Sequence, residues 1–304
     1  MWVDRRGRED AINVPARAYF NLRLSPDGRR LALEIRDQEN DIWVWDLTRQ
    51  TLDRRTFDPA LDGAPIWTPD GSRIVFYSQR SGSGQGLFWL RADGTGTADQ
   101  LTTAVGRNQV ATSLSPDGSK LLFKDGTGIN TGSDLMVLAM DGKAQPAPLI
   151  QATMFEETGA QFSPDGRWLA YQSNDSGQGL NQVYVVPFPN VNGGKWLVST
   201  AGGRMPSWAP SGRELFYIDA NNFLTSAPVQ LTPTFAVGNP TRLFETKPPP
   251  ALINARFYDV SLDGQRFVMI KEPTGDQNSP NATPASMVVV LNWLEELKAR
   301  LPAR

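Results

Sequence analysis

Apolar and polar residues alternate in short runs along almost the whole chain. Six of these runs are Leu31-Ala32-Leu33, Ile74-Val75-Phe76-Tyr77, Leu121-Leu122-Phe123, Trp168-Leu169-Ala170-Tyr171, Leu215-Phe216-Tyr217-Ile218 and Phe267-Val268-Met269-Ile270. They are rich in β-branched and aromatic residues and too short for helices, so they read as strands. Each follows a four-residue turn. The turns are Ser25-Pro26-Asp27-Gly28, Thr68-Pro69-Asp70-Gly71, Ser115-Pro116-Asp117-Gly118, Ser163-Pro164-Asp165-Gly166, Ala209-Pro210-Ser211-Gly212 and Ser261-Leu262-Asp263-Gly264. Proline presets φ for the second position of a type I turn, Asp follows, and Gly takes the conformation that other residues resist.

The turns recur at intervals of 43 to 52 residues, the period of a four-stranded propeller blade. A third run follows in each repeat, from Ile42-Trp43-Val44-Trp45 to Met287-Val288-Val289-Val290. A short outer strand comes after several of these, as in Asp99-Gln100-Leu101-Thr102 and Lys195-Trp196-Leu197-Val198. The residue before each turn is Leu24, Trp67, Leu114, Phe162, Trp208 or Val260, always apolar, as an inner strand packed on a neighbouring blade requires. The pattern predicts an all-β chain: a six-bladed β-propeller with four-stranded blades, one domain over residues 1–304.

The last repeat runs from Met287–Leu291 into Asn292-Trp293-Leu294-Glu295-Glu296-Leu297-Lys298, a short C-terminal helix with Asn292 as N-cap and Glu295 at the capping-box position. That leaves the sixth blade without an outer strand. A strand within Glu9–Val14 is expected to pair into it and close the ring, which removes exposed sheet edges.

Composition narrows the chemistry. With 40% apolar residues the chain can bury a core. It has no cysteine, so disulfides and thiolate metal sites are excluded, and no histidine, which removes the Ser-His-Asp triad and nearly every zinc site. A net charge of -2 and no basic run argue against nucleic acid. No apolar stretch is long enough to span a membrane. No cofactor is implied. Two stretches, Asp37-Gln38-Glu39-Asn40-Asp41 and Asn174-Asp175-Ser176-Gly177, carry oxygen ligands suited to calcium, although neither matches an EF-hand loop.

The repeats resemble those of TolB-like propellers, a WD-repeat-like class with a Ser-Pro-Asp-Gly signature. They are most similar to propeller segments associated with bacterial serine/threonine protein kinases. The residues that carry the likeness are Trp2-Val3-Asp4-Arg5, Arg23-Leu24-Ser25-Pro26-Asp27-Gly28, Tyr184-Val185-Val186-Pro187-Phe188-Pro189, Gly194-Lys195-Trp196, Gly212-Arg213-Glu214-Leu215-Phe216-Tyr217 and Leu291-Asn292-Trp293-Leu294-Glu295-Glu296-Leu297. The resemblance implies a binding or interaction scaffold in the periplasm or outside the cell. It also implies that Trp2-Val3-Asp4-Arg5 is the end of a blade. No kinase signature and no Gly-x-Ser-x-Gly elbow is present.

Function on a propeller is expected at the channel mouth opposite these turns. Residues five to eight positions before each turn, with the loops between second and third strands, would form it. They supply Tyr19, Arg107, Glu156, Arg204 and Arg256 as candidate ligand-binding residues. Arginine forks recognise carboxylates and phosphates. Asp62 and Glu157 are the candidate acid/base pair, because glycoside hydrolysis needs two carboxylates and no histidine. Three readings stay open. The leading one is a non-catalytic, monomeric scaffold for a protein, a peptide or a small polar ligand such as a carbohydrate. The others are a carboxylate-driven glycosidase and a sensor segment of a larger receptor kinase.

Overall fold

The computed structural model describes residues 1–271, apart from 38, 83, 127–131, 144, 152–153, 177–178, 250–251 and 253–254. Two short strands, β1 (Trp2–Asp4) and β2 (Glu9–Asp10), come first. Blade one is then β3 (Tyr19–Leu24), β4 (Arg30–Arg36), β5 (Asn40–Asp46) and β6 (Thr51–Arg54). Blade two is β7 (Asp62–Trp67), β8 (Arg73–Ser78), β9 (Gly86–Arg91) and β10 (Asp99–Gln100). Blade three is β11 (Asn108–Leu114), β12 (Lys120–Gly126), β13 (Asp134–Ala139) and β14 (Ala147–Ile150). Blade four is β15 (Glu157–Phe162), β16 (Trp168–Ser173), β17 (Gln182–Pro187) and β18 (Trp196–Leu197). Blade five is β19 (Gly203–Trp208), β20 (Glu214–Asp219) and β21 (Phe223–Gln230), whose outer edge pairs with both β22 (Ala236–Val237) and β23 (Thr241–Glu245). The sixth sheet runs β24 (Tyr258–Val260), β25 (Arg266–Met269), β1, β2. Within the blades all strand pairings are antiparallel, as hairpin meanders require.

The ring therefore closes through the N-terminal segment, as expected, but with two strands where the sequence suggests one. Trp2–Asp4 takes the third-strand position of blade six, with Trp2 opposite Val268 and Val3 opposite Phe267. Glu9–Asp10 is the outer strand, paired to β1. Arg5 pins this closure to blade five through paired hydrogen bonds to the Glu214 carboxylate and a third to the Gly264 carbonyl at 3.1 Å. The propeller is complete within Met1–Lys271. The expected strand at Met287–Leu291 and the helix after it lie outside the described residues.

The six turns form as their chemistry dictates. In each, the glycine N–H donates to the carbonyl of the first residue at 2.8–2.9 Å, and the glycine sits at φ between 67° and 71°. In five of them the Ser or Thr hydroxyl donates to the turn Asp and accepts the N–H of the residue five positions on. The Ala209 turn has no hydroxyl to do either.

Apolar side chains collect in six clusters, one at each blade-to-blade interface. Alternation along a strand explains this: Leu31 and Leu33 face blade six, while Ala32 between them faces blade two. The residues before the six turns fall one into each cluster. Two of them, Trp67 and Trp208, also donate an indole N–H to the inner strand of the previous blade, at Arg23 and Gln161.

Candidate functional site: a cationic cavity in the central channel

The inner strands β3, β7, β11, β15 and β19 all lose register against their second strands, at Phe20, Ala64-Pro65, Thr112, Gly159-Ala160 and Met205-Pro206. Pro65 and Pro206 have no N–H to give a ladder, so a bulge is where they fit. Ala64 and Met205 take positive φ, 48° and 55°, and Gly159 takes 66°. Side chains from the neighbouring blade hold two of the freed N–H groups. Glu34 accepts from Ala64 at 2.8 Å and Gln172 accepts from Met205 at 2.6 Å. Bulges re-aim side chains, and here they widen the lumen.

The widened lumen is a cavity of about 480 Å³. Its wall carries five cationic side chains, Arg23, Arg36, Lys124, Arg204 and Arg256, and one carboxylate, Glu156. Arg36 is paired with the fully buried Glu34 at 2.5 Å and stacks on Phe20. Arg204 donates to the Asn222 side chain at 2.8 Å, a neutral acceptor. Burial holds the Arg204 guanidinium below its ordinary value. Lys124 meets no acceptor or carboxylate among the described residues.

Below this cavity, on the turn side, lies a second of about 340 Å³, ringed by Pro26, Pro69, Pro116, Pro164, Pro210 and Leu262. Arg23 lines both. It donates to the Thr112 carbonyl at 3.0 Å. Arg256 donates to the Pro206 carbonyl at 3.0 Å. The Gln161 amide oxygen, oriented to satisfy its surroundings, accepts from Arg23 at 2.9 Å and from Arg256 at 2.9 and 3.2 Å. The channel floor is thus knitted across from blades one, three, four, five and six. Desolvation first, and then the nearby Arg256 charge, pulls the Arg23 guanidinium down to about 9.

Two of the expected ligand-binding arginines, Arg204 and Arg256, line the cavity, and so does Glu156. Tyr19 and Arg107 do not. Tyr19 donates its hydroxyl to the Pro15 carbonyl, and burial pushes it up to about 12. Arg107 pairs with Asp125 at 2.7 Å. Asp62 and Glu157 are also absent from the cavity wall. Residues five positions before a turn (Phe20, Val110, Thr158, Arg204, Arg256) point into the lumen. Asp62 and Glu157, six before their turns, are buried away from the lumen, because strand side chains alternate. Asp62 is fully buried and pairs with Arg80 at 2.7 Å. Desolvation still raises its carboxyl above the ordinary value. Glu157 is 2% exposed and accepts from Ser173 at 3.1 Å, while its second oxygen has no partner. Burial pushes it up to about 7, with Asp134 and Asp175 adding to the effect. Gln109 occupies the same repeat position and accepts from Thr102 of the preceding outer strand. The shared position is a polar seam between consecutive blades.

Sequence reasoning missed Arg23, Arg36, Lys124 and Gln161. The signal available was Pro65 and Pro206 inside inner strands, which mark the bulges that bring mid-strand residues to the lumen.

In the two stretches suited to calcium the described acidic side chains are paired with cations, although one oxygen of Asp175 has no partner. Asp37 pairs with Arg17 at 2.6 Å, and Asp41 with Arg54 at 2.7 Å and Thr56 at 2.9 Å. Asn174 accepts the Glu156 N–H at 2.8 Å and Asp175 pairs with Lys195. Among the described residues no three Asp or Glu side chains are grouped so as to hold a metal ion. No helix of the described residues is long and apolar enough to cross a membrane.

Residues 8–145 match the TolB beta propeller domain. A solved Agrobacterium tumefaciens protein assigned as TolB covers 88% of this chain and 95% of its own, with a TM-score of 0.67 at 19% identity. The chain is a β-propeller similar in fold to TolB. TolB from Acinetobacter baumannii has the same fold, with a TM-score of 0.61 at 17% identity over 89% of this chain and 59% of its own. A Mycobacterium tuberculosis puromycin-hydrolyzing peptidase shares it over 71% of this chain but only 36% of its own, with a TM-score of 0.53 at 16% identity. In sequence, the uncharacterized protein Atu1656 of Agrobacterium fabrum is 31% identical over 161 residues, 48% of this chain. The uncharacterized peptidase YuxL of Bacillus subtilis is 22% identical over 206 residues, 53% of this chain. This propeller spans 52% of the length of the first and 31% of the second.

Proposed function

We propose that this propeller is a non-catalytic binding scaffold whose central cavity receives an anionic group, carried by a peptide, a protein segment or a small polar ligand. The observation that supports it most is the cavity wall, with five cations, of which only Arg36 is ion-paired among the described residues (to Glu34), against one carboxylate. In a chain of net charge -2 that imbalance is local. Channel walls of low dielectric focus such a field and draw in anions. On the resemblance to TolB, the protein works in the periplasm or outside the cell.

Calorimetric titration against uronic acids, sugar phosphates and short acidic peptides, each beside its neutral counterpart, tests the reading. The anions should bind, more weakly at high salt, and Lys124→Gln should weaken them by about 3- to 10-fold. Equal binding of the neutral counterparts would overturn it.

The glycosidase reading has one observation in its favour: the carboxyl of Glu157 is held near 7, the range of a general acid. Against it, Glu157 and Asp62 are sealed between blades. Turnover of chromogenic glycosides that is lost in Glu157→Gln and Asp62→Asn would displace the scaffold reading.

A further inference from the structure

The channel floor holds more positive charge than the folded chain neutralises. Arg23 and Arg256 approach each other through one amide oxygen, that of Gln161. Their other acceptors are the Thr112 and Pro206 carbonyls, both neutral. The one carboxylate in the neighbourhood is Asp259, which accepts the main-chain N–H of Leu24 at 3.0 Å and of Val260 at 3.0 Å. Arg204, on the cavity wall, adds a third guanidinium. The nearest carboxylate to influence it, Asp219, is already paired with Arg242 at 2.6 Å. Three cations therefore face two carboxylates, Asp259 at the floor and Glu156 on the wall. The floor is short of acceptors as well as of charge, since the buried Nε–H groups of Arg204 and Arg256 have no partner. Clustered cations with neutral acceptors are costly to bury unless an anion joins them.

Resting on the reading of the cavity as an anion-binding mouth, we propose that its floor is a carboxylate site, in which Arg23 and Arg256 take the terminal carboxylate of a short peptide entering from the wide end. Paired guanidiniums suit a planar carboxylate, which they grip bidentately. The cavity, about 480 Å³, is large enough for a few residues behind that carboxylate. The depressed Arg23 guanidinium agrees with this picture, because a bound anion would relieve the repulsion from Arg256.

The test uses the full chain and three probes at constant ionic strength: tri-alanine, its C-terminal amide and acetate. Tri-alanine should bind, acetate should compete with it, and the amide should bind at least about 10-fold more weakly. Gln161→Glu supplies a carboxylate from the protein itself at the shared amide position. It should raise the melting temperature and abolish tri-alanine binding. Arg256→Lys keeps the charge but loses the fork, and should weaken tri-alanine by about 10-fold. Equal binding of acid and amide would sink the floor site while leaving the cationic cavity reading intact. So would tri-alanine binding that survives Gln161→Glu. If inorganic phosphate binds and displaces nothing but itself, the site is for phosphate and the peptide proposal falls. If no anion of either panel binds, both readings fall together.

Discussion

A carboxylate sealed between two blades answers to pH differently from one facing water. Glu157 holds its proton up to about 7 in the folded chain, against an ordinary value of 4.5. The folded state thus binds more protons than the unfolded state between those two values, and stability falls as pH rises through that window. The stabilising contribution is complete below 4.5 and gone above 7. Glu157→Gln, always neutral, should gain on the wild type from pH 5 to pH 8, by about 1 kcal/mol once partial solvent screening is allowed for. Urea unfolding at four pH values in that range measures it, and parallel stability curves would show that Glu157 does not titrate there. The same seam explains what could be read of the site in advance. Arg204 and Arg256 were legible because position five before a turn faces the lumen. Asp62 and Glu157 misled because one step along a strand reverses the face, and no composition signal marks which face is which.

The turn is the element that makes this fold readable. Five turns use one device: a hydroxyl that both donates to the turn Asp and accepts a main-chain N–H. The fifth turn has Ala209 and Ser211 instead, and its one side-chain bond is from the Arg213 N–H to the Ser211 hydroxyl at 3.3 Å. Ala209 is buried, as are Ser25 and Ser163 at the same place, so a serine has room and a partner there. Ala209→Ser with Ser211→Asp should stabilise the chain by about 1 kcal/mol. The reverse pair in the third turn, Ser115→Ala with Asp117→Ser, should cost a similar amount. Chemical denaturation of both doubles checks this, and a repaired fifth turn that is no more stable than the wild type would show that strand pairing alone sets the turn. Bulges are less legible than turns, because they are set by register between strands. Only Pro65, Pro206 and Gly159 betray them in the sequence.

At the scale of the whole propeller, closure is the step on which every other interface depends. Trp2-Val3-Asp4 ends an apolar run on Asp, as Trp43-Val44-Trp45-Asp46 does in the third strand of blade one. Read from sequence, that slot in blade six goes to the apolar run Met287–Leu291, and Glu9–Val14 supplies only the missing outer strand. Pairing keeps the outer strand at Glu9–Asp10 and gives the third slot to Trp2–Asp4: Val3 lies opposite Phe267 and is buried with Phe216, Phe257 and Tyr258. Removing residues 1–11 deletes both closing strands and the Arg5 bonds to Glu214, and it bares the edge of β25. An open edge of β-branched and aromatic residues templates pairing between chains. The truncated chain should therefore melt lower by roughly 5 °C or more and self-associate. A gentler variant, Val3→Asp, buries an unpaired charge in the same cluster and should cost about 3 kcal/mol. Light scattering and thermal unfolding of the two variants separate the contributions. Loss of stability without association in Val3→Asp, and both together in the truncation, is the expected pattern. If truncation leaves the melting temperature unchanged, blade six holds the ring by its own two strands and the N-terminal segment is only a cover.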